Sequence, residues 1–173
     1  CGLCDFKGEM ISVQNGITIF TGTFTDDVKT IIKKFENNIN EGDIFLLNDP
    51  HHSGTHLNDV SVIKPIFVEK KLIAFAIADA HWADIGGSVP GSMSPQATEI
   101  YHEGVQLPGI KLYKSGEIQQ DIIDIISSNV RFSTLAIGDL NAEVAAVNIA
   151  EKRITEITNK HGSKDVLDAF EYL

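Results

Sequence analysis

Histidines are concentrated in one part of the sequence. Five of the six lie between residues 51 and 102: His51, His52, His56, His81 and His102. The stretch 48–59, "NDPHHSGTHLND", holds three of them together with two aspartates. Imidazole nitrogens and carboxylate oxygens bind divalent metals and transfer protons near neutral pH. This stretch is therefore either a metal or acid–base centre, or a solvated loop that is rich in histidine.

The spacing of three residues favours a metal site. His56 and Asp59 are three positions apart, so a turn brings them toward one ion. Residues 59–68 and 72–81 are rich in β-branched and aromatic residues, and the short connection between them predicts an antiparallel hairpin. If residues near 68 face residues near 72, Asp59 lies opposite His81. We therefore predict that His56, Asp59 and His81 meet as metal ligands.

This ligand set also indicates what chemistry the site supports. Two imidazoles and one carboxylate suit Zn²⁺, Mn²⁺, Fe²⁺ or Co²⁺ and leave positions for water and substrate. Such an ion activates water or polarises a carbonyl group. Asp84 is predicted to orient the His81 ring or to act as a general base. For His52, a role in proton transfer and a place on the solvated surface are equally supported.

Other polar residues have simpler interpretations. His51, His102 and His161 are expected to be solvated, with His161 near the negative end of a helix dipole. Residues 85–109 are rich in Gly, Ser and Pro but lack the lysine of a phosphate-binding loop. A long loop of this kind predicts a lid or a substrate passage. Its Glu99 and Glu103 are either polar contacts or helix surface.

Composition excludes several classes of protein. The chain has 173 residues, 43% hydrophobic and 22% charged, which predicts a single globular domain. Its net charge of −10 argues against nucleic acid as a partner. No apolar run reaches the length of about 18 residues that a membrane span requires. Cys1 and Cys4 form an isolated pair, expected as reduced strand residues in the cytoplasm.

The elements that must position the histidines predict an α+β fold, with an antiparallel or mixed sheet and flanking amphipathic helices. A hairpin is expected around Lys7 and Gly8, and a helix capped by Thr25 follows it. Residues 43–47 form a core strand. Pro65 removes a hydrogen-bond donor, so its strand is expected at a sheet edge or at a bulge. Further along the chain we predict a hairpin at "IKLYKSGEIQ" and a short helix at "DIIDII". A long helix is predicted from Asp139 to Gly162.

Three long motifs resemble one family. "GDIFLLNDPHHSGTHLNDVSVIKPIF", "HWADIGGSVPGSMSPQATEIYHEGVQLPGIKL" and "GDLNAEVAA" are similar to the hydantoinase B/oxoprolinase family. That family includes N-methylhydantoinase beta subunits, the C-terminal half of 5-oxoprolinase and the alpha subunits of acetone carboxylases. The similarity covers nearly all of residues 1–173, and family members are much longer. It implies that 1–173 is one domain, the N-terminal portion of a longer hydantoinase B-type subunit, as the missing initiator Met also indicates.

The resemblance implies an activity shared between two subunits. A hydantoinase A-type partner binds ATP and phosphorylates the substrate, and the B-type subunit completes hydrolysis or carboxylation at a Mn²⁺ or Zn²⁺ centre in an oligomeric assembly. The leading expectation is a hydrolase that opens a small cyclic amide, either a hydantoin or a lactam such as 5-oxoproline. The alternatives are an alpha-type subunit of an ATP-dependent ketone carboxylase and a non-catalytic binding fragment.

The resemblance also carries over residue by residue. The family's Gly-Thr-His-Leu-x-Asp matches "GTHLND" and implies that His56 and Asp59 bind the metal. The family's His-His-Ala-Asp-Ile-Gly-Gly matches "HWADIGG" and implies the same for His81. Trp82 replaces the second histidine of that motif. A glutamate of the family pattern would fall just before Cys1, so the resemblance implies a fourth ligand outside these residues.

Overall fold

A computed structural model describes residues 1–14, 21–52 and 54–173. Its centre is a seven-stranded sheet in the order β2-β1-β5-β4-β3-β6-β7, and every pairing is antiparallel. The strands are β1 Gly2–Asp5, β2 Met10–Val13, β3 Ile44–Leu47, β4 Asp59–Val68, β5 Lys71–His81, β6 Pro108–Lys114 and β7 Glu117–Ile118. The predicted α+β class is confirmed, as are the two hairpins predicted from the glycine turns.

Helices cover both faces of this sheet. They are α1 Phe24–Phe35, α2 Gln120–Asn129, α3 Ser133–His161 and α4 Ser163–Tyr172, with a short 3-10 helix at Ile100–His102. Helix α1 packs Phe24, Val28 and Ile31 on one face, and the other three helices pack on the opposite face. None of the helices among the described residues could span a membrane.

Alternation along β4 assigns its side chains to the two faces. Val60 and Val62 are buried in the core beneath α3, whereas Ile63 is buried beneath α1. Ser61 also faces α1, since its hydroxyl donates to Asp27 of that helix. Asp59 lies two positions before Ser61, so its side chain is on the α1 face.

A β-bulge sets the register of the central hairpin. The connection is a two-residue turn at Glu69 and Lys70, both at positive φ, as a tight hairpin turn requires. Val68 pairs with Lys71 and Phe67 with Leu72, but Ile66 pairs with Ala74. Ile73 is therefore the extra residue on β5. Beyond the bulge the pairing is regular as far as Asp59 and His81.

Pro65 was expected at an edge or a bulge, and the structure corrects the first half of that expectation. Strand β4 is central, between β5 and β3, not at an edge. It tolerates Pro65 because β3 is short and pairs with β4 only from Ser61 to Ile63. The bulge at Ile66 and Phe67 lies directly beside Pro65.

Two helix boundaries differ from the expected ones. Helix α1 follows an N-cap at Thr23 rather than Thr25, and it ends at Phe35. Helix α3 begins at Ser133, six residues before Asp139. Its buried Ala136 lies in that additional part, so the apolar face extends further toward the N-terminus than Asp139 suggested.

The glycine-rich segment is closed at its base. Gly86 and Gly104 form an isolated β-bridge. Any Cβ at Gly86 would overlap the carbonyl oxygen of Asn129, and one at Gly104 would overlap the carbonyl oxygen of Ile85. Both residues also have positive φ. Only glycine permits this close backbone approach, which fixes where the intervening loop leaves and rejoins the domain.

Candidate metal centre

Three of the predicted site residues converge at the open end of the β4–β5 hairpin. His56, Asp59 and His81 each offer a ligand atom within 4.8 Å of the others. The Nε2 atoms of His56 and His81 are 3.1 Å apart. Their ring centroids are 4.9 Å apart. The convergence that the spacing predicted is confirmed, while metal ligation itself stays a prediction.

Secondary structure explains why these residues meet. Asp59 is the first residue of β4 and His81 is the last residue of β5, and they form a direct cross-strand pair. His56 lies in the preceding turn, where its carbonyl accepts a hydrogen bond of 3.0 Å from the Asp59 amide. The turn thus presents the His56 ring to the same side as the strand ends.

Neighbouring side chains orient the three residues. Oδ2 of Asp59 lies 2.6 Å from Nδ1 of His56 and also accepts a hydrogen bond from the Thr55 hydroxyl. Oγ of Ser92, in the glycine-rich loop, lies 3.3 Å from Nε2 of His81. The sequence reasoning missed Thr55 and Ser92. Thr55 belongs to the Gly-Thr-His motif and could have been found there, whereas nothing in the sequence pattern singles out Ser92.

The donor geometry fits one divalent ion. Two nitrogens that are each about 2.1 Å from one ion lie about 3.0–3.4 Å from each other, and the two imidazoles meet this condition. Oδ1 of Asp59 is buried and has no hydrogen-bond partner among the described residues. A buried carboxylate oxygen without a partner carries a large desolvation cost, which a bound cation removes.

The surroundings of His56, Asp59 and His81, called the trio below, are acidic on one side and open to solvent on the other. Burial raises the pKa of Asp79 to about 7; a hydrogen bond from Ser61 opposes the shift, and the nearby carboxylates of Asp59 and Asp27 add to it. This concentration of buried carboxyl groups favours a cation at the neighbouring ligands. His81 is exposed, so the centre is accessible from solvent.

His52 lies outside the trio and is held by a different aspartate. Its Nδ1 is 2.8 Å from Oδ2 of Asp49, and its side chain is 62% exposed. Burial acts to raise the pKa of Asp49, but hydrogen bonds from the His51 amide and the His52 ring outweigh it, so the pKa is lowered. Asp49 is thus an anion that fixes the His52 ring through Nδ1. His51 and His52 line a cavity of about 500 Å³ next to α1.

Asp84 is engaged elsewhere. It is buried, and both of its oxygens accept hydrogen bonds from Arg131: 2.6 Å from the amide and 2.8 Å from Nη1. Nη2 of Arg131 in turn donates to the Gly87 carbonyl at 2.6 Å. No hydrogen bond among the described residues joins Asp84 to His81. The structure therefore places Asp84 in a fold-stabilising ion pair, and its role in proton transfer stays a prediction.

The remaining acidic candidates of the loop lie on its surface. Glu99 is 3.3 Å from Nε2 of His102 in an exposed ion pair. Glu103 contributes its backbone, because its carbonyl packs against Gly87. Neither side chain contacts the trio within the part of the chain that the structure describes.

The family profile of hydantoinase B/oxoprolinase matches residues 1–173. The chain belongs to the hydantoinase B/oxoprolinase family. The family resemblance read from the three sequence motifs is thereby confirmed.

Named relatives and solved structures agree with this membership. A putative D-/L-hydantoinase subunit from Pseudomonas sp. (strain NS671) is 33% identical over 178 residues, which cover 100% of this chain and 30% of the relative. The crystal structure of ATP-dependent caprolactamase from Pseudomonas jessenii has a TM-score of 0.94 at 33% identity, covering 99% of this chain and 30% of that one. A nucleotide-free acetone carboxylase structure has a TM-score of 0.93 at 25% identity, covering 99% and 23%.

The hydantoinase B/oxoprolinase relatives are much longer than this chain. It spans about 30% of the length of the hydantoinase and caprolactamase chains it matches. What the structure describes is therefore one part of the family's architecture, the part that carries the His56, Asp59 and His81 cluster.

Proposed function

We propose that this chain belongs to the metal-dependent subunit of an ATP-dependent cyclic-amide hydrolase, which opens a hydantoin or lactam ring after a partner subunit has phosphorylated it. Membership of a family that includes hydantoinase and caprolactamase subunits supports the reaction class. The observation that carries the proposal is the convergence of His56, Asp59 and His81 around a point open to solvent.

In this proposal His56, Asp59 and His81 hold Mn²⁺ or Zn²⁺. The ion supplies Lewis-acid chemistry, polarising a carbonyl or activating water. The chain's own residues fix the geometry: Asp59 holds Nδ1 of His56, which directs Nε2 toward His81. A histidine whose second nitrogen is held by a carboxylate has a defined tautomer and ring orientation. The exposed side at His81 is where substrate approaches.

His52 is the proposed proton-transfer residue. Asp49 holds its Nδ1, which orients the ring and presents Nε2 for proton transfer. Its position beside a cavity gives it access to a small molecule. Asp84 was an equal candidate from sequence, but it is less well suited because both of its oxygens already accept hydrogen bonds from Arg131.

The partner in this proposal is a hydantoinase A-type subunit that binds ATP in the cytoplasm, with both subunits in an oligomeric complex. ATP dependence is stated for the caprolactamase of similar structure, and a hydantoinase relative is named as a subunit. The present residues contain no phosphate-binding loop sequence, so the nucleotide is assigned to the partner.

Metal analysis of the full-length protein tests the ligand set. After extensive dialysis we expect about one divalent ion per chain, as a single site implies. His56→Ala should remove it, because one of the three ligands proposed within these residues is lost. His161→Ala, which changes an exposed histidine at the end of α3, is the matched control and should keep the ion. Full retention of metal in His56→Ala would reject the site.

One other function has a specific observation in its favour. The fold is shared with an acetone carboxylase structure, so carboxylation of an activated ketone is the second candidate. Reconstituted subunits with ATP and 5-oxoproline or hydantoin should release ring-opened product without bicarbonate. If product forms only from a ketone and only with bicarbonate, the carboxylase assignment replaces the hydrolase.

A further inference from the structure

Glu143 is a buried carboxyl group beneath the metal centre. It lies on α3, on the face that packs against the sheet, and is 5% exposed among apolar neighbours such as Leu140 and Val144. Burial raises the pKa of Glu143 to about 9; a hydrogen bond from Trp82 opposes the shift, and Asp79 and Asp139 add to it. A carboxyl group in such a core carries a free-energy cost that an apolar residue would avoid.

The contact made by Glu143 is with the residue that follows His81. Nε1 of Trp82 donates to Oε2 of Glu143 at 3.0 Å. Trp82 is completely buried, and the other carboxyl oxygen, Oε1, has no hydrogen-bond partner among the described residues. Within that part of the chain, Trp82 is thus the one side chain that donates a hydrogen bond to Glu143. The backbone of Ala80 also lowers the pKa of this carboxyl group by hydrogen bonding.

Trp82 is in turn tied to the second ligand-bearing segment. Its amide donates to the Asn58 carbonyl at 2.8 Å, and the Asn58 side-chain amide donates to the Trp82 carbonyl at 2.8 Å. A continuous set of hydrogen bonds therefore joins Glu143 of α3 to Trp82 and Trp82 to Asn58. Trp82 directly follows His81, and Asn58 directly precedes Asp59, so this set reaches the neighbours of two proposed ligands.

We propose that Glu143 is a positioning residue of the metal centre, which holds the Trp82 indole and thereby fixes the direction of His81 toward His56 and Asp59. The inference rests on the proposed ligand set and extends it into the helix layer. Glu143 touches neither metal nor substrate in this scheme, and it acts through the backbone that joins residues 81 and 82.

The end of a strand explains why His81 needs such support. Ladder pairing between β5 and β4 ends at the pair of His81 and Asp59. One further backbone hydrogen bond, from the Trp82 amide to the Asn58 carbonyl, follows it. The His81 ring is exposed, and beyond His56 it contacts Ser92 at 3.3 Å. The anchored Trp82 is the next fixed point along the chain. Apolar packing alone is not directional, whereas the indole hydrogen bond defines the orientation of the Trp82 ring.

Three substitutions in the full-length protein test this role. Glu143→Gln keeps an acceptor of the same size for the indole, while Glu143→Leu removes the acceptor and Trp82→Phe removes the donor. We expect Glu143→Gln to bind Mn²⁺ with about wild-type affinity. Glu143→Leu and Trp82→Phe should weaken Mn²⁺ binding about 10–100-fold, as loss of a residue that orients a ligand does. The electron paramagnetic resonance spectrum of bound Mn²⁺ should change in these two variants but not in Glu143→Gln.

A matched control separates positioning from stability. Val147→Ala opens a cavity one turn further along the same helix face, in the same core, and should lower the thermal midpoint without changing Mn²⁺ affinity. If Glu143→Leu fails to fold, Trp82→Phe decides alone, because phenylalanine still fills most of the buried site.

Two results would overturn the inference. One is wild-type Mn²⁺ affinity in both Glu143→Leu and Trp82→Phe; the other is equal loss of affinity in Glu143→Gln and Glu143→Leu, since the hydrogen bond would then be irrelevant. His56→Ala keeps the two proposals distinguishable. If His56→Ala retains metal, the ligand set itself fails. If it loses metal while Glu143→Leu and Trp82→Phe both keep wild-type affinity, only the positioning role fails.

Discussion

Asp59 and Asp84 are both buried at the open end of the hairpin, yet they differ in what they bind. Both carboxyl oxygens of Asp84 accept hydrogen bonds from Arg131. Asp59 holds His56 and Thr55 through one oxygen and leaves the other without a partner among the described residues. A carboxylate already paired with a cation serves the fold, whereas one with a free buried oxygen remains able to accept an ion. Burial alone therefore does not distinguish these two carboxylates, whereas the remaining hydrogen-bonding capacity makes Asp59, and not Asp84, a candidate ligand.

The largest expected effect is on metal affinity, at Asp59, which has one oxygen without a partner among the described residues. Asp59→Ala removes a proposed ligand and the group that orients His56, so we expect at least a 100-fold loss of metal affinity, roughly the upper limit for an orienting residue alone. Titration of the full-length protein with Mn²⁺ measures this. Near-normal binding would show that the free oxygen of Asp59 is not a ligand atom, and that the two aspartates do not differ in function as inferred here.

At Asp84, whose two oxygens already accept hydrogen bonds, we expect a loss of stability instead. Asp84→Asn leaves Arg131 without its anionic partner, and since Arg131 is partly exposed, the free energy of unfolding should fall by about 2–4 kcal/mol. Metal content should be unchanged. Denaturant unfolding and metal analysis together measure both quantities. A variant of normal stability with a large fall in turnover would instead return Asp84 to the proton-transfer role.

A smaller loss of stability is expected where the backbone closes the base of the glycine-rich loop. Gly104→Ala places a methyl group against the Ile85 carbonyl at a positive φ, so we expect a destabilisation of about 1–3 kcal/mol. Gly116→Ala also lies at positive φ but has open space around it, and it serves as the control for backbone strain alone. Equal thermal midpoints for the two variants would mean that the close approach at Gly104 is not important.

The third buried acid, Glu143, predicts a dependence of stability on pH. Its pKa is about 9 in the folded protein against an ordinary 4.5. Between these values the folded state binds a proton that the unfolded state has lost, so the free energy of unfolding falls as pH rises, by up to about 1.4 kcal/mol per pH unit. Urea unfolding from pH 7 to 9 should show a smaller decline in Glu143→Gln than in the wild type.

Glu156→Gln is the control for that pH series, because the Glu156 side chain is 49% exposed in a surface ion pair. Its decline between pH 7 and 9 should match the wild type. Identical slopes for all three proteins would mean that Glu143 does not hold a proton in the folded state.

The convergence of the ligands could be predicted from sequence because it depends on local patterns. Runs of β-branched and aromatic residues mark the two strands, and a short connection between them limits the pairing to a few registers. The partners of the other buried groups could not be found in this way. Arg131 is 47 residues from Asp84, and Glu143 is 61 residues from Trp82. The first contact depends on where the connection between α2 and α3 lies, and the second depends on how α3 crosses the sheet. No local spacing encodes either.

The predicted pairing of Asp59 with His81 is correct, but the predicted turn is not. The sequence predicted a three-residue connection from Glu69 to Lys71, whereas the turn has two residues and Val68 pairs with Lys71. The extra residue Ile73 makes up the difference and restores the pairing of Asp59 with His81. A bulge of this kind has no reliable sequence signal, since isoleucine is an ordinary strand residue.

That bulge has a consequence for how the family diverges. A one-codon deletion of Ile73 would leave the cation donors in place, because Ala74 already stands across from Ile66. The same loss on the facing strand, between residues 60 and 66, would bring the small methyl group of Ala80 opposite Asp59, with every ligand residue still in the gene. Among distant relatives, the strand on which a gap falls is therefore as informative about loss of the proposed metal site as the histidines themselves.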